Sequence, residues 1–300
     1  MTEPSTLPAR RLLLVHAHPD DESIGTGVTM ARYAAEGAAV TLVTCTRGEE
    51  GEVLVPSLAQ LAAAADDQLG AHREVELAAA MVELGVTDHR FLGGSGRWRD
   101  SGMMGTPSND RPDVFWRADL VEAAAELVSI IRETRPQVVV TYDTFGGYGH
   151  PDHIQAHRVA MYASQLAGAA GFRPELGPAW SVTKIYWLAL PRSVMQNGID
   201  ALIAAGGSGF FGVESVDDLP FLTDDAAVTT HIEALDLEPA KLAALRAHAT
   251  QVPEDHGFFR LAEVVGPQAM GNEFFTLAYG PKGTDVDADG RETDLFSGVA

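Results

Sequence analysis

Short apolar runs alternate with segments of helical periodicity through the first two thirds of the chain, the arrangement produced when crossover helices join parallel strands. Leu12 to Ala17 reads as a buried strand, and Ile24, Val28 and Ala31 then recur at helical spacing up to Gly37. Val40 to Cys45 gives the next strand. Leu77, Met81 and Leu84 share a helix face that ends at Gly85, before a short strand around Phe91. Leu120, Ala123, Leu127 and Ile130 mark another helix, stopped before Pro136. Val138 to Thr141 is almost wholly β-branched and reads as a central strand. A helix from Ile154 to about Leu166, a strand from Val182 to Leu188, a helix from Pro239 to Ala249 and a late strand from Phe274 to Tyr279 complete the pattern. Residues 93–115 and 204–237 lack sustained periodicity and read as long loops or small insertions.

This pattern predicts an α/β chain with a Rossmann-like, mostly parallel sheet flanked by helices over residues 1–190. A smaller C-terminal subdomain over residues 191–300 is expected to contribute to the pocket. From about Gly283 the chain is acidic and poor in apolar side chains, which predicts a solvated tail with a mobile tip.

Composition narrows the partners. The 300 residues are 46% hydrophobic and 21% charged, far from a disordered polymer. Acidic residues number 42 against 21 basic, a net charge of −21, so phosphate backbones and anionic lipid are repelled. No nucleic-acid or membrane partner is expected. The single cysteine, Cys45, excludes an internal disulfide, and no apolar run approaches the roughly 18 residues of a membrane span. Met1 to Arg10 lacks the apolar core of a secretory signal, so the expected location is the cytoplasm.

Chemistry concentrates in two segments. His16-Ala17-His18-Pro19-Asp20-Asp21-Glu22-Ser23 follows the first strand and precedes the first helix, where ligands bind in an open parallel sheet. A nucleotide turn would supply glycine amides here; this one supplies imidazole and carboxylate. His18 and Asp21, three apart across a bend stiffened by Pro19, can converge on one cation. Tyr142-Asp143-Thr144-Phe145-Gly146-Gly147-Tyr148-Gly149-His150-Pro151-Asp152-His153 follows the central strand in the same way. Its glycines allow Tyr148 and His150 to lie over a site, and a His, an Asp and a distant His make three ligands with positions left for water and substrate. A lone histidine is usually only hydrogen-bonded, but four histidines and four aspartates at two strand ends would be a costly loop without a function. Tyr142 and Asp143 read as structural.

His18-Pro19-Asp20-Asp21-Glu22 followed by His150-Pro151-Asp152-His153 resembles the paired signature of the metal-dependent N-acetylglucosaminyl deacetylases of the LmbE/PIG-L family. The resemblance extends over nearly the whole chain and is closest to the branch that serves mycothiol biosynthesis. Thr44-Cys45-Thr46, Gly48-Glu49-Glu50-Gly51-Glu52, Arg97-Trp98-Arg99-Asp100-Ser101-Gly102-Met103, Gly146-Gly147-Tyr148-Gly149-His150 and His248-Ala249-Thr250-Gln251 carry it. It implies hydrolysis of the acetamide of an N-acetylglucosaminyl-inositol, a small-molecule substrate, to free amine and acetate. Carried over, it makes His18, Asp21 and His153 ligands of one divalent metal, zinc by default and ferrous iron as the alternative. Asp20 becomes the general base, Tyr148 a holder of the oxyanion, His150 the general acid, and Asp152 either a tuner of His150 or a cap on the following helix. Arg73, Asp100 and Met103, with Gln251 and Glu52, are the implied substrate-facing residues; a surface ion pair is the plain alternative for Arg73.

The same signature is similar to that of the mycothiol S-conjugate amidases, which cleave a neighbouring amide on the same scaffold. Gly149 before His150, where the amidases usually have proline, favours the deacetylase branch. A non-haem iron oxygenase also matches His18, Asp20 and His153, but such sites sit in β-rich folds. Asp285-Val286-Asp287-Ala288-Asp289-Gly290 opens like a calcium loop and fails at its twelfth position, Phe296. Cys45, placed in a strand, reads as inert.

Overall fold

Short apolar runs supply the first, second, fourth and fifth strands, in chain order, of one seven-stranded sheet in the computed structural model, which describes residues 8–299. Met1 to Leu7, part of the N-terminal reading above, lies outside the described residues. In chain order the strands are β1 (Arg11–His16), β2 (Ala39–Thr44), β3 (Asp88–Phe91), β4 (Val138–Thr141), β5 (Lys184–Ala189), β6 (Thr230–Glu233) and β7 (Asn272–Tyr279). Their order across the sheet is β3-β2-β1-β4-β5-β7-β6. The first five strands are parallel; β7 runs antiparallel to both β5 and β6. The fold is therefore α/β with a mostly parallel sheet, and β7 and β6 extend that sheet from residues beyond 190 rather than forming a second one.

The helices are α1 (Asp21–Ala35), α2 (Leu69–Glu83), α3 (Leu120–Thr134), the single turn α4 (Gly146–Gly149), α5 (Pro151–Gly168), α6 (Arg192–Ala204), α7 (Glu238–Ala247) and α8 (Gly257–Val265). Alternation along β1 decides which layer each residue meets. Leu13 and Val15 share a core with Ala123 and Leu127 of α3 and Val159 of α5. Leu12 and Leu14 point the other way, to Met30 of α1, Leu77 of α2 and Ala244 of α7. Truncating one of these leucines to alanine costs about 2–5 kcal/mol by cavity formation. α3 is delimited as its sequence suggests: the Asp119 carboxylate accepts from the N–H groups of Val121 and Glu122, and Arg135, at φ 52°, ends the helix before Pro136.

Three features depart from the sequence reading. β6 lies inside the region read as loop, because four residues leave too short an alternation to detect. α6 and α8 carry no assignment in that reading; α6 buries only Ile199 and Leu202, and its polar residues blur the stripe. The tail is not solvated throughout. Glu292 and Leu295 are fully buried and Phe296 nearly so, because those apolar side chains dock on α1 while Glu292 accepts from Lys184 Nζ at 2.6 Å, Tyr186 Oη at 2.8 Å and Thr230 Oγ1 at 2.9 Å. Among the described residues no helix is long and apolar enough to cross a membrane.

Candidate active site

Strand order reverses between β1 and β4, so the loops that follow these two strands open onto one crevice, the usual ligand position in such sheets. After β1 the chain turns through Asp20, whose φ of 115° is a strained backbone conformation for a residue with a Cβ, and enters α1 at Asp21. After β4 it passes through α4. Gly146 there has φ 68°, and a Cβ on it would lie 2.7 Å from both His153 Cβ and the Ile154 nitrogen, so only glycine lets the loop fold back on α5. Pro151 occupies the first turn of α5, and the N-cap is His150, whose Nδ1 accepts from the Asp152 N–H at 3.2 Å.

These turns bring His18, Asp21 and His153 together. His18 Nδ1 lies 3.3 Å from Asp21 Oδ2, His153 Nε2 lies 3.3 Å from Asp21 Oδ1, and the two ring nitrogens are 3.3 Å apart. Donors held about 2.1 Å from a tetrahedral ion are spaced at roughly this distance. Other triplets, His18 with His150 and His153, and His18 with Asp100 and Asp152, also lie within 4.8 Å. The last uses the opposite ring nitrogen: His18 Nε2 is 3.3 Å from Asp152 Oδ2 and 3.6 Å from Asp100 Oδ1. Those carboxylates accept the Nε2 proton and leave the Nδ1 lone pair aimed at Asp21 and His153, the arrangement in which a carboxylate orients a metal-ligating imidazole.

The charges fit a cation as well. Asp20, Asp21, Asp100 and Asp152 crowd one crevice in which Arg73 pairs with Asp20, while Lys241, also on the cavity wall, pairs with Glu273. Burial would lower the proton affinity of His18, but Asp100, Asp152 and Asp21 outweigh it and hold it well above the ordinary value. Burial opposes ionisation of Asp21, yet His153 and His18 hold its carboxyl well below the usual range. The donor set thus suits a divalent ion, though it does not distinguish one such ion from another.

Asp20 lies beside this cluster. Burial pushes its carboxyl up to about 6 against the opposing pull of Arg73, whose Nη2 is 3.1 Å from Asp20 Oδ2. Arg73 is buried and is no surface ion pair; it also donates to the carbonyls of Pro19 and of Gly48, the latter at 2.9 Å. Burial and the imidazoles of His18 and His153 push His150 down to about 3, with Asp100 Oδ1 4.0 Å from its Nε2 acting the other way. The Asp152 carboxylate meets His18 rather than His150 and takes no part in capping α5; burial raises it to about 6. The Tyr148 ring stands edge-on to His153 with centroids 4.9 Å apart and is 45% exposed, so it reaches both the cluster and solvent.

A cavity of about 760 Å³ opens here, lined by every residue singled out from the sequence except Asp152. Asp100 is buried and accepts from the Gly102 N–H at 2.8 Å, while Met103 is half exposed at the mouth. Gln251 Nε2 donates to the Glu52 carbonyl at 3.0 Å, closing the opposite rim. The Tyr142 hydroxyl accepts from the Ala17 N–H and its ring stacks on His153 with centroids 4.2 Å apart, while Asp143 accepts from the N–H groups of Phe145 and Gly147; both also line the cavity. Cys45 is buried, and burial pushes its thiol up.

Two partners stand in segments that carry the resemblance but had no role in the sequence reading. Ser101 donates to Asp152 through its N–H at 2.8 Å and through its hydroxyl. His248 donates from Nε2 to Glu22 Oε1 at 2.7 Å across 226 residues of sequence, a contact without any local signal.

This is an α/β protein whose sheet gathers, at its switch point, imidazoles and carboxylates that could hold a metal ion. Residues 13–164 match the family model PIG-L, described as GlcNAc-PI de-N-acetylase, and the chain belongs to that family. It is 62% identical over 293 residues to the 1D-myo-inositol 2-acetamido-2-deoxy-alpha-D-glucopyranoside deacetylase 1 of Catenulispora acidiphila, covering 97% of this chain and 90% of that one. To the 1D-myo-inositol 2-acetamido-2-deoxy-alpha-D-glucopyranoside deacetylase of Geodermatophilus obscurus it is 59% identical, covering 97% and 99%. Among solved structures, the N,N'-diacetylchitobiose deacetylase from Pyrococcus horikoshii superposes with a TM-score of 0.59 at 20% identity, covering 89% of this chain and 83% of that one. That likeness shows the fold.

Proposed function

We propose that this chain hydrolyses the acetamide of 1D-myo-inositol 2-acetamido-2-deoxy-α-D-glucopyranoside to the free amine and acetate, the deacetylation step of mycothiol biosynthesis. The observation that carries the chemistry is the His18, Asp21, His153 triangle beside a buried carboxylate poised near neutrality, and the near full-length relatives carry the substrate.

His18 Nδ1, Asp21 and His153 Nε2 would hold one divalent ion, Zn²⁺ first and Fe²⁺ as the alternative. Such an ion supplies Lewis acidity and brings the pKa of a bound water toward neutrality. Asp20 takes the proton of the attacking water, since a carboxyl near 6 is an acceptor at neutral pH and can release the proton again. Arg73 fixes the Asp20 carboxylate and the Pro19 carbonyl, which restricts the base to one orientation. Tyr148 offers its hydroxyl to the oxygen that becomes negative as the amide carbon turns tetrahedral. His150 hands a proton to the leaving nitrogen from Nε2, the ring nitrogen on the Asp100 side. It rests neutral with Nδ1 engaged by the Asp152 N–H, so the proton that Nε2 hands to the amine is made good by the one Asp20 took from the water. Asp152, held by Ser101, keeps His18 in the tautomer that presents Nδ1. Arg73, Asp100, Gln251 and Glu52 face the sugar and inositol hydroxyls, with Met103 covering the mouth.

A second reading has one observation behind it. Leu188, Leu190, Val194, Met195, Phe210 and Phe258 give the far wall of the cavity an apolar face that an acetyl group leaves unfilled, so the amide of a mycothiol S-conjugate is the competing substrate. The test is to load apoprotein anaerobically with Zn²⁺ or Fe²⁺ and measure free amine from both compounds. Faster cleavage of the acetylated sugar-inositol supports deacetylation. Preference for the conjugate supports the amidase, and metal-independent rates on both overturn the mechanism.

A further inference from the structure

The strained turn at Asp20 is held by a second, fully buried layer that reaches it from the other end of the chain. Glu22 and His248 have no exposed side-chain surface. Glu22 Oε2 accepts the Asp20 N–H at 2.9 Å, while its Oε1 accepts from Ser23 Oγ at 2.5 Å and from His248 Nε2 at 2.7 Å. One carboxylate thereby links the backbone of Asp20 to the C-cap of α7. His248 Nδ1 is buried with no partner, so the ring's single hydrogen bond goes to Glu22. A buried imidazole retained for one bond costs stability that an apolar side chain would not.

The residues that follow His248 tie down the surroundings of the same turn. Thr250 donates to Glu76 through both its N–H, at 2.8 Å, and its hydroxyl, at 2.7 Å. Glu76 lies one helical turn beyond Arg73 on α2, and Arg73 contacts Asp20 and Pro19. We propose that His248, acting through Glu22, is a positioning residue that keeps Asp20 in its strained conformation, with Thr250 fastening the same segment to α2 through Glu76. The proposal rests on the reading of Asp20 as the general base. Without the His248 bond, only the neighbouring Ser23 hydroxyl holds Oε1, so Glu22 is less firmly kept on the Asp20 N–H and the turn relaxes toward an unstrained φ that moves the carboxylate off the attacking water. A displacement of about 1 Å at a reacting group lowers rate by up to roughly a hundredfold.

The test compares wild type, His248→Phe, His248→Gln and Glu22→Met as zinc-loaded proteins, measuring kcat, KM, zinc per chain and thermal midpoint. Wild-type release of acetate from the N-acetylglucosaminyl-inositol decides the underlying reading, and the ratios between variant and wild type decide this one. His248→Phe is expected to lower kcat about tenfold to a hundredfold, with KM within twofold and one zinc per chain retained. His248→Gln, which keeps an N–H donor for Glu22, is expected to recover most of kcat. Glu22→Met removes the acceptor of both the Asp20 N–H and His248, and is expected to lose kcat like His248→Phe, a result that also serves should His248→Phe fail to fold. Unchanged kcat in folded His248→Phe or in folded Glu22→Met would overturn the proposal. So would a loss of zinc in proportion to activity, or a His248→Gln variant as slow as His248→Phe.

Discussion

The two ends of the sheet treat buried charge in opposite ways. At the N-terminal end of β5, Lys184 and Glu292 form a 2.6 Å pair without exposed surface, and each oxygen of Glu292 has further donors in Gly283, Tyr186 and Thr230. At the C-terminal ends of β1 and β4, three imidazoles and several carboxylates crowd within hydrogen-bond reach of one another and their protonation preferences conflict. The first cluster is balanced and fastens the C-terminal segment. The second gathers more carboxylates than permanent cations, an arrangement that a binding or catalytic site can use. Satisfaction of the partners, more than burial or charge alone, separates fastening from chemistry.

The largest effects that would break this contrast lie at the crowded end. Asp20→Ala is expected to lower turnover by about 10²–10⁴-fold while keeping its metal, whereas His153→Ala is expected to lose metal and activity together. Acetate release and metal stoichiometry on the same samples check this, and equal metal retention with near-normal rates in both variants would remove the distinction between base and ligand.

At the balanced end, Lys184→Met strands a buried carboxylate and is expected to cost about 3–5 kcal/mol in denaturant unfolding, with activity per folded molecule unchanged. The double variant Lys184→Met with Glu292→Leu is expected to regain much of that loss, because the penalty belongs to the unpaired charge. A double variant as unstable as the single one would show that packing, and not charge satisfaction, holds the segment.

A smaller effect sharpens the comparison through pH. Burial opposes ionisation of Glu292, but Lys184 and the other donors hold its carboxyl below the ordinary value. Its stabilising contribution is therefore complete above the unfolded value of about 4.3 and is lost as pH falls through the lower folded value. Stability measured against pH is expected to decline more gently on the acid side in Glu292→Gln than in wild type. Smallest of all, Arg192→Ala removes an exposed pair with Asp217 and is expected to change stability by under about 1 kcal/mol, since water screens both charges.

Local signals on the chain determined much of the protein. Apolar runs of strand length fixed β1, β2, β4 and β5, because fully buried parallel strands need continuous hydrophobicity and little else has that pattern. His18, Asp21 and His153 were legible as a candidate site for a related reason: each stands beside a strand end, where a parallel sheet must place its ligands. What had no local signal was decided only by tertiary structure. β6 is four residues long, α6 shows a weak stripe, and the docking of Leu295 and Phe296 depends on a groove that the rest of the chain supplies. The Asp152 carboxylate could have turned toward His150 or capped α5, and it turns instead to His18 because Ser101 holds it there. Periodicity records which face of an element is buried, whereas the partner of a buried polar group is fixed by chain segments far away in sequence, as His248 is for Glu22.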